Sequence, residues 1–175
     1  NMLKKTTKFL CLFIYIFLFG EYFFRIMAPQ PLMPRYVTGA SDGIRTNIPN
    51  VTYRQKTQEV NVDIRINSQG IRSDKEFFIR EAEDTYRIVL LGDSFFMGYE
   101  VDLENSFAWL LEKKLNNKGL KTEVINLAVS GFGTAENLVA LRNRGLKFNP
   151  DLVIMQWHAT DTADNIRSNL FRLTD

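Results

Sequence analysis

The sequence predicts an α/β fold built on a parallel sheet, preceded by a membrane-spanning helix, and three observations predict it. Three apolar strand-like runs, Ile88–Leu91, Thr122–Val129 and Leu152–Trp157, each close at a turn of small and polar residues. Short apolar runs of this kind are strands buried on both faces of a sheet. The stretches between them have helical periodicity, and strand-helix-strand-helix-strand is the pattern of a parallel sheet with right-handed crossovers. Ahead of all this, Lys4, Lys5 and Lys8 precede the apolar run Phe9–Phe19, which resumes at Tyr22-Phe23-Phe24 after Gly20-Glu21. A basic start before an apolar run is the layout of an export signal whose positive end stays in the cytoplasm.

From Phe9 to Phe24 a helix rises roughly 24 Å, a little less than the ~30 Å hydrocarbon core. Tyr22 and Arg25 are suited to the interface beyond it. No small-x-small cleavage site follows, so the segment 1–27 is expected to be a retained signal anchor rather than a cleaved peptide, with residues 9–24 in the membrane and the rest of the chain on the extracytoplasmic side. Four of the five prolines (Pro29, Pro31, Pro34, Pro49) lie in residues 28–57, which read as an irregular leader. Asn50-Val51-Thr52 matches a glycosylation acceptor, a tripeptide that arises readily by chance. Val60–Ile66 alternates strictly and is expected to be a strand with one buried face. Asn67-Ser-Gln-Gly70 then turns the chain towards Ile71-Arg72. Residues 28–84 are therefore assigned to a linker and rim strand, and 85–175 to the α/β domain.

Within that domain Gly92 supplies the sharp turn after the first parallel strand. Ser94 is placed just past its carboxyl end, where open α/β sheets bind ligands. By residue type alone, Ser94 is either a helix cap or a nucleophile. Asn105-Ser106 begins a helix with Phe107, Leu110, Leu111 and Leu115 on one face and Gly119 as its stop. Lys113, Lys114 and Lys118 near its end complement the helix dipole. Thr134 is read as the cap of the next helix, which carries Leu138 and Leu141 and ends at Gly145 before Pro150. In the flavodoxin-like order, with the first strand between the second and third, Ser94, Gly131 and the residues after Trp157 meet along one rim of the sheet.

Gly92-Asp93-Ser94, Asn126-Leu-Ala-Val-Ser-Gly131 and Pro150-Asp-Leu-Val-Ile occur in the order and spacing of the SGNH/GDSL hydrolases. From about Asn61 onwards the chain resembles the membrane-anchored bacterial members of that family. The resemblance implies a flavodoxin-like three-layer α/β/α fold, a serine esterase activity without cofactor or metal, and an ester substrate such as an acylated glycan or lipid. It implies Ser94 as nucleophile and the N–H groups of Ser94 and Gly131 as oxyanion donors, with Asp93 tethering the loop. The third donor in the family is an asparagine in a Gly-Asn-Asp segment. Here the segment is Ala159-Thr160-Asp161, so Thr160 takes its place, and a threonine hydroxyl donates one hydrogen bond from a shorter side chain.

The family takes its base and orienting acid from an Asp-x-x-His segment well beyond the third block. No such segment lies between Trp157 and Asp175, so the chain is expected to be the N-terminal part of a longer protein with a C-terminally incomplete domain. His158, the one histidine, forms His158-x-x-Asp161, the reverse of the family's order, and is read as structural. One histidine also argues against a His-based metal site. Asp161 is expected, with Asp93, to support the site, and Asp161, Asp164 and Asn165 read as a loop with satisfied caps or, as the lesser alternative, a polar cluster. Net charge +2 at 45% hydrophobic residues indicates neither disorder nor a nucleic-acid surface. The single Cys11 excludes an internal disulfide framework. Two alternatives stand beside an esterase: an O-acyltransferase sharing the same acyl-enzyme, and a non-catalytic SGNH-like domain that binds carbohydrate or a partner. A nucleotide-binding domain would need a glycine-rich phosphate loop, which the sequence lacks.

Overall fold

The computed structural model describes residues 2–28, 36–57, 59–79 and 84–171, in two compact units, Asn1–Met33 and Pro34–Asp175. The first unit is the helix α1 (Met2–Met27), with no buried residue along its length. Among the described residues it is the one helix long and apolar enough to cross a membrane, by length and composition. It extends beyond the Phe9–Phe24 run at both ends, because Thr6, Thr7 and the ion pair of Glu21 with Arg25 (2.8 Å) are compatible with helical backbone.

The second unit opens with two antiparallel hairpins, β1 (Val37–Gly39) with β2 (Arg45–Asn47) and β3 (Val51–Lys56) with β4 (Asn61–Ile66). This corrects the expectation of an irregular leader through residue 57. Pro49 does not interrupt a strand: it sits in the turn between β2 and β3, beside Asn50 with φ 56°. The pattern that marks a half-buried strand is present in β3, where Tyr53 and Gln55 are buried and Thr52, Arg54 and Lys56 are exposed.

The parallel sheet follows as β5 (Tyr86–Leu91), β6 (Thr122–Asn126) and β7 (Leu152–Met155), in the order β6-β5-β7. Between β5 and β6 come the single turn α2 (Ser94–Met97) and α3 (Phe107–Asn116); α4 (Thr134–Asn143) lies between β6 and β7, and α5 (Asp161–Ser168) follows β7. The first strand therefore lies between the second and third, as a doubly wound sheet requires. Its two faces enter different cores. Val89 and Leu91 pack with Ile125, Leu127, Phe132 and Ala140, whereas Ile88 and Leu90 pack with Val124, Leu111 and Leu115 of the α3 layer. The first core also takes in Ile44, Ile71 and Phe77, so the hairpins are part of the same folded unit rather than a rim outside it.

Helix starts are set by polar side chains. Ser106 caps α3, its hydroxyl accepting the Trp109 N–H at 3.4 Å. For α4 the cap is Gly133, not Thr134, which is the first helical residue. Glycine has no side chain to serve the free N–H groups, so two others do: the Glu136 carboxylate accepts from Gly133 N–H (3.2 Å), and Asn165 Oδ1 of α5 accepts from Ala135 N–H (2.9 Å).

An ion pair fastens the first hairpin to the end of α4. Arg144 holds Asp42 in a two-point contact, with both nitrogens at 2.7 Å. The hydrogen bond to Arg144 is the main reason that the Asp42 carboxyl lies below its ordinary range. A carboxylate depressed in the folded state contributes stability above its unfolded pKa and loses it as pH falls through the folded value. Asp42→Asn is thus expected to cost about 1–3 kcal/mol at neutral pH. The deficit should vanish below the normal carboxylate range, which thermal unfolding across pH will read.

Candidate active site

The site is built on the turn that follows β5. Gly92 is closely enclosed there: a Cβ would lie 2.8 Å from Gln156 Oε1 and 2.9 Å from Phe96 Cβ. A side chain at this position would push β5 away from the segment after β7. Asp93 then caps α2, its Oδ1 accepting the Phe95 N–H at 2.8 Å. Ser94 is the first helical residue. Because Asp93 supplies the cap, the Ser94 hydroxyl is not used for it, and among the described residues it has no hydrogen-bond partner. Of the two roles that residue type alone left open for Ser94, the cap is filled by Asp93. Gly98, at φ 74°, ends the helix in the left-handed conformation.

The loops after β6 and β7 flank this turn. Beyond the end of β6, Leu127 N–H donates to Leu90 C=O (2.9 Å) and Val129 N–H to Gly92 C=O (3.3 Å), which runs residues 127–131 alongside the Ser94 turn. Asn126 ends the strand by bonding out of it: its amide donates to Phe96 C=O (2.6 Å) and its Oδ1 accepts from Ala128 N–H (3.1 Å). Gly131 has φ 78°, and its carbonyl accepts from Arg45 Nη2 at 2.6 Å. Arg45 is in turn held by Glu136 at 2.8 and 3.1 Å and lies over the Phe132 ring at 5.7 Å. On the far side, Gln156 N–H donates to Leu91 C=O (2.9 Å), and the His158 ring stacks on Phe95 with centroids 5.2 Å apart.

Thr160 and His158 are engaged with each other. The Thr160 N–H donates to His158 Nδ1 (3.3 Å), with the Thr160 hydroxyl 3.0 Å from the same nitrogen. A ring that accepts at Nδ1 carries its neutral-form proton on Nε2, so Nε2 has no lone pair for a serine proton. A Ser-His pair needs the opposite tautomer. Asp161 is buried below, at 3% exposure. Burial, first, and the nearby Asp93 and Asp164 carboxylates push its pKa up, against the pull of the His158 backbone and ring. Asp93 and Asp161 are both buried.

Three parts of this arrangement escaped the sequence. Arg45 comes from a segment expected to be irregular, and an isolated arginine there carried no signal. Asn165 was grouped with a polar loop, yet it reaches α4, with Nδ2 donating to Thr134 Oγ1 at 2.7 Å. Tyr36, stacked on Tyr53 and tilted against Tyr99 at 5.4 and 5.0 Å, donates its hydroxyl to Ser130 Oγ (3.1 Å). Asn126 did leave a trace: a carboxamide inside an apolar strand calls for a specific partner.

The parallel sheet, with its Gly-Asp-Ser turn on the central strand and an Asn-to-Gly loop beside it, brings together the blocks on which the resemblance to the SGNH/GDSL hydrolases rests. Partial matches to known proteins are as follows. Over 75 residues, 43% of this chain and 38% of the relative, the sequence is 35% identical to an arylesterase of Vibrio mimicus. Among solved structures, TesA is similar at a TM-score of 0.40 and 26% identity, covering 46% of this chain and 43% of that one. AlinE4, an SGNH-hydrolase family esterase, is similar at 0.38 and 28%, covering 52% and 47%. No family model matches the chain. The chain is matched over less than half the length of each of these proteins.

Proposed function

We propose that the full-length protein is a membrane-anchored serine esterase that cleaves ester bonds through an acyl-enzyme on Ser94. The observation that carries this reading is the division of labour at the turn, where Asp93 caps α2 and leaves the Ser94 hydroxyl uncommitted at the carboxyl end of the central strand. In the reaction, Ser94 Oγ attacks the ester carbonyl while a base takes its proton. The tetrahedral oxyanion is met by the N–H groups of Ser94 and Gly131, and collapse expels the alcohol. Water then attacks the acyl-enzyme and releases the acid. The resemblance supplies the base from an Asp-x-x-His segment, and the Nδ1 contact of His158 with Thr160 argues against His158 taking that role. Thr160 as the third donor would require its hydroxyl to leave His158.

The helix α1, with Lys4, Lys5 and Lys8 at its start, supports a signal anchor that holds the unit Pro34–Asp175 outside the cytoplasm. An esterified glycan or lipid of the envelope is the substrate class within reach of such a protein. The test is treatment of the full-length protein with a fluorescent organophosphonate, followed by peptide mapping. The adduct is expected on Ser94. Absence of any adduct on the folded protein, or its appearance on another residue, would refute the reading and favour a binding domain.

A further inference from the structure

We propose that Arg72 is a positioning residue for Ser94, fixing the nucleophile's turn by gripping the backbone immediately behind it; the inference rests on the reading of Ser94 given above. Arg72 is 4% exposed, and its guanidinium faces no carboxylate within ion-pair distance among the described residues. It is committed instead to three main-chain oxygens. Nη1 donates to Met97 C=O (3.2 Å) and to Gly98 C=O, and Nη2 donates to Val101 C=O (2.5 Å). These carbonyls lie at the end of α2 and in the turn just after it. The last of its residues is Met97, its left-handed cap is Gly98, and Val101 closes the next turn through its N–H to Gly98 C=O (3.2 Å).

The carbonyls left free at a helix end carry partial negative charge, and a buried cation there satisfies them and complements the dipole. A planar guanidinium with several N–H groups can hold three carbonyls at fixed angles; a lysine ammonium cannot match that fork. The single turn Ser94–Met97 is too short to hold its own shape, so its placement depends on what fixes its two ends. Asp93 fixes the front. Arg72 fixes the back.

The segment that carries Arg72 is rigid in its own right. Asn67 Oδ1 accepts from Gln69 N–H (3.0 Å) and Ile71 N–H (2.9 Å), while its amide donates to Lys75 C=O (2.9 Å). Gly70 has φ 76°, and a Cβ there would lie 2.7 Å from Thr46 Oγ1. The Asn67, Gly70 and Arg72 spacing thus acquires a physical purpose: a locked turn that aims one guanidinium at the nucleophile helix. Room around Arg72 is limited too, since a Cβ at Gly98 would come within 2.8 Å of Nη1.

The experiment compares the full-length wild type with Arg72→Lys and Arg72→Met. It measures thermal unfolding, the organophosphonate inactivation rate per folded molecule, and kcat and KM on p-nitrophenyl acetate. A displacement of the nucleophile by about 1 Å costs on the order of 100-fold in rate. The expected result is a folded Arg72→Lys protein whose inactivation rate and kcat fall by about 10- to 100-fold with KM little changed, and a larger fall for Arg72→Met. A residue that served stability alone would lower the melting temperature and leave the rate per folded molecule where it was; that result, or failure of both variants to fold, overturns the proposal. Failure of the Ser94 reading is seen separately, because the wild type itself would then take up no phosphonate.

Discussion

Replacing Ser94 by alanine in the full-length protein is expected to lower kcat on an activated ester by about 10^5- to 10^6-fold, with KM nearly unchanged. The size follows from what is removed. In the proposed mechanism the Ser94 hydroxyl alone forms the covalent bond to the acyl group, and members of a nucleophile-base unit act together, so losing the nucleophile disables the remainder. The proposed oxyanion donors, Ser94 N–H and Gly131 N–H, lie on backbone that the substitution leaves untouched, so weak residual hydrolysis and normal substrate binding are consistent with the proposal. The fold should be unaffected, because Asp93 and not Ser94 caps α2. Ser130→Ala is the control: it removes a hydroxyl from the neighbouring loop whose partner is Tyr36, and its effect on kcat should be small. Retention of even one part in a hundred of the activity by Ser94→Ala would show that another group is the nucleophile.

The largest effect on stability is expected at Arg45. Its guanidinium is 2.8 Å from Glu136, whose side chain is only 6% exposed, against 37% for Arg45 itself. Arg45→Met leaves a nearly buried carboxylate without its cation. Breaking a fully buried pair costs 3–5 kcal/mol. Solvent reaches the Arg45 end, so about 2–3 kcal/mol is the expected loss here, or a fall of roughly 6–10 °C in melting temperature for a domain of this size. Glu136 still accepts the Gly133 N–H in that variant, which explains why the helix α4 should remain. The double variant Arg45→Met/Glu136→Gln removes the stranded charge and keeps that acceptor, and it should recover at least half of the loss. If the double variant melts no higher than Arg45→Met, the cost comes from the lost bond to Gly131 C=O or the lost stacking on Phe132, and not from the carboxylate.

The sheet was legible in the sequence because a parallel strand buried on both faces has little choice of residue. Ile88 to Leu91 feeds two cores at once, so every position had to be apolar. The turn after it was legible for a similar reason: Gly92 has no space for a Cβ. The hairpin of β1 and β2 was not. Its strands have three residues each, and three residues carry too little alternation to stand out against proline and glycine punctuation. Polar residues that act across long sequence distances were equally hidden. Arg45 meets Glu136, and Asn165 meets Ala135; nothing local distinguishes such residues from solvated ones. Arg72 is an intermediate case, since its spacing from Asn67 and Gly70 could be noticed, whereas its target could not.

The placement of the hairpins ahead of the sheet also sets the order in which the chain becomes able to fold during synthesis. Strands β3 and β4 are complete at Ile66, yet the surface that covers Tyr53, Ile64 and Ile66 includes Met97, Tyr99 and Ala128. About 60 further residues must be made before Ala128 arrives, which at 5–20 residues per second takes some 3–12 seconds. During that interval a two-stranded ribbon with an apolar face has no partner, and a lone hairpin is marginal in water. That apolar face is covered only once the loop after β6 has been made, so the second hairpin is completed as a core by residues far from it in sequence.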